Sequence, residues 1–303
     1  MLDIMALFRA MPGACAQGLV WGIMALGVFN TYKLLDFDDL TVDSTLATGG
    51  AVAVMLILAG IPTPIALIGA AAAGGAAGFI TGFLHTVLGI PDILSGILTQ
   101  IAFYSVNLNI LGASNKSISV DQYPLVISLR YIPRAIIVTI IFISALAAIL
   151  YWFFGTEYGF TIRSTGCNPD MSRAQGVNTN KSKVVALIIS NAIVGLSGGL
   201  LAQYQGYADV GMGRGAIVIG LAAVIIGQVL RQSILGQKVN FVVKMLFVVV
   251  GAVIYYVVIT FVLWLGLPSE NMKMFSAIVV AVFLAVPYLR AKAKSSFRRG
   301  GSK

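Results

Sequence analysis

The run GFTIRSTGCNPDMSRAQGVNTNKSK, residues 159–183, is a polar island between two long apolar segments. It holds Arg163, Asp170, Arg173, Lys181 and Lys183 in a chain whose charged residues make up only 10% of the total. A stretch of this composition does not stay in hydrocarbon. It must lie at a membrane face, with membrane-crossing segments before and after it. Within it, Asn168 can cap a helix, Pro169 suits the first helical position, and Asp170 lies where the positive helix end favours an anion. A short helix is predicted from Pro169 to about Gln175, stopped by Gly176 in a left-handed cap. On charge alone the run is equally an ordinary cytoplasmic loop obeying the positive-inside rule.

The rest of the chain fits that frame. Its 303 residues are 58% hydrophobic, and the mean hydropathy of +0.94 excludes a soluble globular protein. The expected fold is all-α: a polytopic membrane protein, with a single transmembrane domain over 1–303. At ~20 apolar residues per crossing, it would be a bundle of about eight to ten transmembrane helices. The net charge of +9 lies mainly at segment edges. That points to lipid headgroups and topology rather than to nucleic acid. Two cysteines, Cys15 and Cys167, support neither a disulfide framework nor a structural zinc site. The N-terminus has no basic leader and reads as retained in the membrane protein.

In chain order, residues 13–32 form the first span. The break KLLDFDDLTVD, 33–43, carries acids at 36, 38, 39 and 43. Residues 44–59 read either as a tilted span or as part of a broken helix. In the span 65–84, the tract AAAGGAAG at 71–78 predicts a tight helix crossing. Residues 93–111 and 135–154 are further spans, separated by a polar loop, and 184–203 leaves the island. The turn QYQGYADVGMGRG, 203–215, is too glycine-rich to continue a helix and predicts a short outer helix or a re-entrant piece. Spans at 216–230, 240–265 and 274–289 follow, with Lys244 expected to snorkel to the inner interface. The tail at 290–303 carries six Lys and Arg, which places the C-terminus in the cytoplasm.

No Walker A pattern occurs in the chain, so it cannot energise transport by itself. Every Asp and Glu reads as lying in a loop or at a segment end, which argues against an ion-coupled carrier. The single histidine, His85, sits at a helix end and reads as structural. With scattered acids, neither a metal cluster nor a catalytic pair is expected, which argues against an enzyme. Polar residues inside spans are Gln100, Asn107, Asn109, Asn191 and Gln203. Singly, each is best read as an interhelical hydrogen bond worth about 0.6–2 kcal/mol. As a set they are candidates to line a translocation pathway.

The order RSTG (163–166), RAQGVN (173–178), Lys183 and GLSGGLLA (195–202) closely resembles the cytoplasmic coupling loop of ABC-importer permeases. The likeness is to the branched-chain amino acid and ribose permease superfamily, nearest to its tryptophan/tyrosine-type members. It extends over residues 13–292, with its specificity mainly in 159–230. Ser164–Thr165 stands where Ala–Thr is expected, leaving the Arg-to-Gly spacing intact. The resemblance implies a permease in the bacterial cytoplasmic membrane, acting as a homodimer. Its other partners would be two ABC ATPase subunits that bind ATP and Mg, since this chain binds no cofactor, and an external substrate-binding protein. It further implies that Arg163, Asp170, Arg173 and Ala174 meet the ATPase while Gly166 and Gly176 shape the loop. Amino acids would be the first cargo, aromatic ones foremost, with branched-chain amino acids, sugars and nucleosides open. A stand-alone carrier or channel, and more remotely an intramembrane enzyme, are the rival readings.

Overall fold

The computed structural model describes residues 4–236 and 239–265, and part of a helical stretch within 274–285. Ten helices make up most of these residues: α1 (Ile4–Phe29), α2 (Val42–Leu58), α3 (Thr63–Thr86), α4 (Asp92–Leu111), α5 (Ile132–Phe154), α6 (Glu157–Cys167), α7 (Pro169–Ala174), α8 (Thr179–Gln205), α9 (Ala216–Leu235) and α10 (Phe241–Trp264). Among the described residues, seven helices are long and apolar enough to cross a membrane, so the all-α polytopic fold holds. Half of the predicted last span, 274–289, lies outside the described residues, and the basic tail at 290–303 entirely so.

The centre of the bundle is α8, and glycine decides how closely its neighbours approach. It runs antiparallel to α3. A Cβ on Gly78 would strike the Leu187 carbonyl, one on Gly74 the Asn191 carbonyl, and one on Gly195 the Ala70 carbonyl at 2.5 Å. The small-residue tract at 71–78 therefore makes the tight crossing that it predicts. Helix α2 lies on the same stretch of α8: Cβ atoms on Gly49 and Gly198 would meet the carbonyls of Gly195 and Leu46. On the far side α1 runs antiparallel to α8, tied by Ser190 Oγ to the Gly27 carbonyl at 2.6 Å and Ser197 Oγ to the Val20 carbonyl at 2.9 Å. Each such bond satisfies a hydroxyl that would otherwise be buried unpaired.

Two ends can be named by what they carry. The loop end bears α6 and α7. At the ribbon end, two short strands, β1 (Asn115–Ser117) and β2 (Tyr207–Asp209), pair antiparallel, linking the 113–131 loop to the exit of α8. The chain makes two excursions into the bundle between these ends. In the first, α1 ends in a π turn, Asn30–Leu35, closed by Asp36 at φ +56° donating to the Thr31 carbonyl. A non-helical leg, residues 36–41, then leads to the start of α2. With 17 residues α2 is about 26 Å long, short of a hydrocarbon core of about 30 Å. Residues 44–59 are thus the broken-helix alternative, entered through a non-helical leg. In the second excursion, residues 210–215 turn inward from β2, placing Met212 against Gly50 and Gly213 against the Asp43 carbonyl. Of the 203–215 stretch, residues up to Gln205 still belong to α8 and Tyr207–Asp209 to β2, and only 210–215 form the inserted piece. Non-helical backbone of this kind is stable only inside protein or beside a cavity.

Two expectations need correction. The island at 159–183 is not a loop with a single short helix, because residues 157–167 form α6, capped by the Thr156 hydroxyl accepting from Gly159 N at 3.4 Å. Nor do all the acids stay at segment ends, since Asp39 and Asp43 are carried into the bundle by the first excursion.

Candidate translocation site and loop

Asp39 is 2% exposed and lies against Asn191, close to the middle of α8. Its Oδ2 accepts from Asn191 Nδ2 at 2.6 Å and its Oδ1 from Thr41 N at 3.0 Å. Asn191 in turn accepts from Thr45 Oγ1 at 2.8 Å and donates to the Leu187 carbonyl at 3.1 Å. Beside it the hydroxyls of Thr41, Thr81 and Thr99 form a chain at 2.7 and 2.9 Å, joining the leg before α2 to α3 and α4. This network holds the non-helical leg in place of helical hydrogen bonds. Asn191 is fully buried in the α8 core, and its partner Asp39 lines a separate cavity of about 200 Å³.

Asp43, four residues on, performs a different task. Helix α9 begins after Gly215 and receives no cap from that residue. Asp43 supplies one across the fold: its carboxylate accepts from Gly215 N at 2.9 Å and from Ile217 N at 2.8 Å. An acceptor at the positive end of a helix is favoured by both hydrogen bonding and the helix dipole. The two excursions thus meet at one carboxylate inside the bundle.

That meeting point forms the wall of a cavity of about 480 Å³. Asp43 and Ser44 line one side, Gln100, Tyr104, Ser105 and Asn107 of α4 another, and Val210 and Arg214 the third. The Arg214 guanidinium stands over the Tyr104 ring, 5.8 Å from its centroid. Asn107 is 1% exposed, and its Oδ1 has no hydrogen-bond partner among the described residues. A cation on inserted backbone, facing a cavity with polar groups on every wall, is the kind of feature that marks a solute path in a membrane protein.

The predicted pathway residues therefore divide. Gln100 and Asn107 line this cavity. Asn109 is exposed on another face of α4, and Gln203 is fully buried, its Oε1 accepting from Val126 N at 3.1 Å to anchor the 113–131 loop. Asp43, Tyr104 and Arg214 were absent from the predicted set. Arg214 could have been found from one signal, a cation inside a glycine-rich stretch for which a re-entrant piece is one of two readings.

At the loop end, α7 begins and ends as its local sequence dictates. Asn168 Oδ1 accepts from Met171 N at 2.9 Å, Pro169 is the first helical residue, and Gly176 has φ +85°. Asp170 and Arg173 pair at 3.5 Å on the exposed face, and Arg173 Nε reaches Thr179 Oγ1 at 3.0 Å. Ala174 closes the helix. Gly166 is placed by packing, because a Cβ there would strike the Leu34 carbonyl. Arg163 stands apart from α7: its guanidinium lies over Phe160 at 5.5 Å and over Phe241 of α10 at 5.8 Å.

Comparison with known proteins agrees over nearly the whole chain. Residues 12–287 match the family described as branched-chain amino acid transport system, permease component. The tyrosine transport system permease protein of Clostridioides difficile (strain R20291) is 36% identical over 280 residues, covering 92% of each chain. The galactofuranose transporter permease protein of Escherichia coli (strain K12) is 27% identical, over 82% of this chain and 71% of that one. A chain in the structure of PsaBC from Streptococcus pneumoniae in complex with Fab superposes with a TM-score of 0.54 at 15% identity. It covers 94% of this chain and 95% of that one, and supports the fold alone.

Proposed function

The chain belongs to the branched-chain amino acid transport system permease family, and on that premise we propose that it is the membrane-spanning subunit of an ATP-driven amino acid importer, with aromatic amino acids as the first cargo. The cavity between α2, α4 and the inserted 210–215 backbone carries this reading. Arg214 offers a planar donor for a carboxylate, Asp43 an anion toward an ammonium group, and Tyr104 a ring face for an aromatic side chain. A relative at 36% identity named for tyrosine transport supports the same cargo. A neutral sugar, as the galactofuranose relative's name implies for that protein, would leave the charged pair unanswered.

In this reading the loop end faces the cytoplasm. There α7, with Asp170, Arg173, Ala174 and Gly176, docks on an ABC ATPase that binds ATP and Mg, and domain closure reaches the bundle as a rigid-body push. Two permease copies, two ATPase subunits and an external binding protein complete the assembly. Its test is gentle purification of the native complex followed by reconstituted uptake of labelled tyrosine. A stoichiometric ATPase and ATP-dependent uptake are expected. Uptake driven by an ion gradient without any ATPase would sink the proposal.

A further inference from the structure

A second charged cavity lies at the loop end, away from the one described above. It has a volume of about 220 Å³, and four cations from four different elements converge on it: Lys33 of the π turn, Arg163 of α6, Arg231 of α9 and Lys244 of α10. The other described lining residues are neutral. Lys244, expected only to snorkel, thereby takes part in a cluster. The cluster is partly fixed in place: Arg163 is held over two aromatic rings, and Arg231 is 8% exposed and donates to the Gly236 carbonyl at 3.0 Å.

Arg163 and Phe241 also line the adjoining cavity, of about 360 Å³, whose other walls include Tyr151, Trp152 and Phe160. Trp152 is 71% exposed at the end of a membrane-length helix. Aromatic side chains in this position sit at headgroup depth in a bilayer. A basic recess opening onto an aromatic groove at that depth matches one class of molecule in both its polar and apolar parts.

We propose that these joined cavities bind an anionic phospholipid. Lys33, Arg163, Arg231 and Lys244 hold its phosphate headgroup, and Tyr151, Trp152 and Phe160 hold the start of an acyl chain. The guanidinium groups supply forked donors to phosphate oxygens and the lysines supply point charges. The bound lipid ties α6, and through it α7, to α9 and α10.

The test uses the full chain, delipidated in mild detergent, and reads lipid retention by native mass spectrometry with thermal unfolding alongside. Phosphatidylglycerol is titrated against phosphatidylcholine, with glycerol 3-phosphate as the headgroup lacking chains. Selective retention of phosphatidylglycerol with a raised Tm is expected. Lys33→Gln, at an exposed position, should weaken binding about five-fold, and the Lys33→Gln/Lys244→Gln pair at least about ten-fold. Trp152→Ala should weaken phosphatidylglycerol but leave glycerol 3-phosphate unchanged. Equal retention of the two lipids, or unchanged binding in Lys33→Gln, overturns the site. Full displacement of phosphatidylglycerol by equimolar glycerol 3-phosphate overturns the assignment to a lipid.

Discussion

Asp39 and Asn191 are 152 residues apart in sequence and joined by a 2.6 Å hydrogen bond in the centre of the bundle. The bond fastens the non-helical leg before α2 to the helix on which the other spans pack. Because both groups are fully buried, removing one leaves the other without a partner, and that loss exceeds the value of the bond itself. Asn191→Ala should lower stability by about 1–3 kcal/mol. Asn191→Asp should be worse, since it sets a second carboxyl group against the first. Thermal unfolding in detergent orders the variants, and equal stability of Asn191→Asp and wild type would remove the network from the fold's foundations.

Glycine substitutions separate close approach from backbone conformation. Gly78→Ala and Gly198→Ala each drive a methyl group into a carbonyl of a neighbouring helix, so α3 or α2 must move away from α8. Gly176→Ala meets nothing within 4 Å, and its φ of +85° is the only obstacle. The first two should reduce the yield of folded protein sharply. The third should cost about 1 kcal/mol, confined to the end of α7. Size-exclusion profiles after membrane extraction distinguish the cases.

The loop gives a prediction about coupling. Reversing the Asp170–Arg173 pair changes the exposed face of α7 and gives up the Arg173–Thr179 hydrogen bond, and an exposed pair of this kind contributes under about 1 kcal/mol to stability. The double variant Asp170→Arg/Arg173→Asp should therefore insert and fold normally. If α7 docks on an ATPase, uptake falls while ATP hydrolysis by the complex continues. Asn168→Ala removes the cap of a six-residue helix and should produce a milder form of the same defect. Undiminished uptake in both variants would dissociate α7 from coupling.

What could be read from the sequence depended on the range of the causes. Helix α7 was legible because Asn168, Pro169 and Gly176 act within one turn of themselves. The α3–α8 crossing was legible because eight consecutive small residues permit little else. Helix α6 was missed because EYGFTIRSTGC has no sustained apolar period; it owes its place to Gly159 packing on the Phe153–Phe154 backbone and Gly166 on Leu34–Leu35. Asp39, Asp43 and Arg214 stand beside helix ends in sequence and looked interfacial. Only the two inward excursions, fixed by contacts with residues far along the chain, carry them into the bundle. The same long-range placement separated Gln100 and Asn107, which reach the cavity, from Asn109, which does not.

Arg214 offers the sharpest test of the cavity, because it acts there through its own side chain while the backbone beside it is held by Asp43. Arg214→Gln removes the charge but none of the hydrogen bonds that cap α9, so folding and ATP hydrolysis should persist. Arg214→Lys keeps the charge but loses the flat donor surface over Tyr104. If the guanidinium receives a cargo carboxylate, uptake should fall at least about ten-fold in Arg214→Gln, with a partial loss in Arg214→Lys. Asp43→Asn should instead lower stability, since it weakens the cap where the two excursions meet. A transport assay on reconstituted complexes, paired with ATP hydrolysis and thermal unfolding, separates these outcomes. A stability loss in Arg214→Gln equal to that of Asp43→Asn would make Arg214 a structural residue and deprive the cavity of its cargo contact.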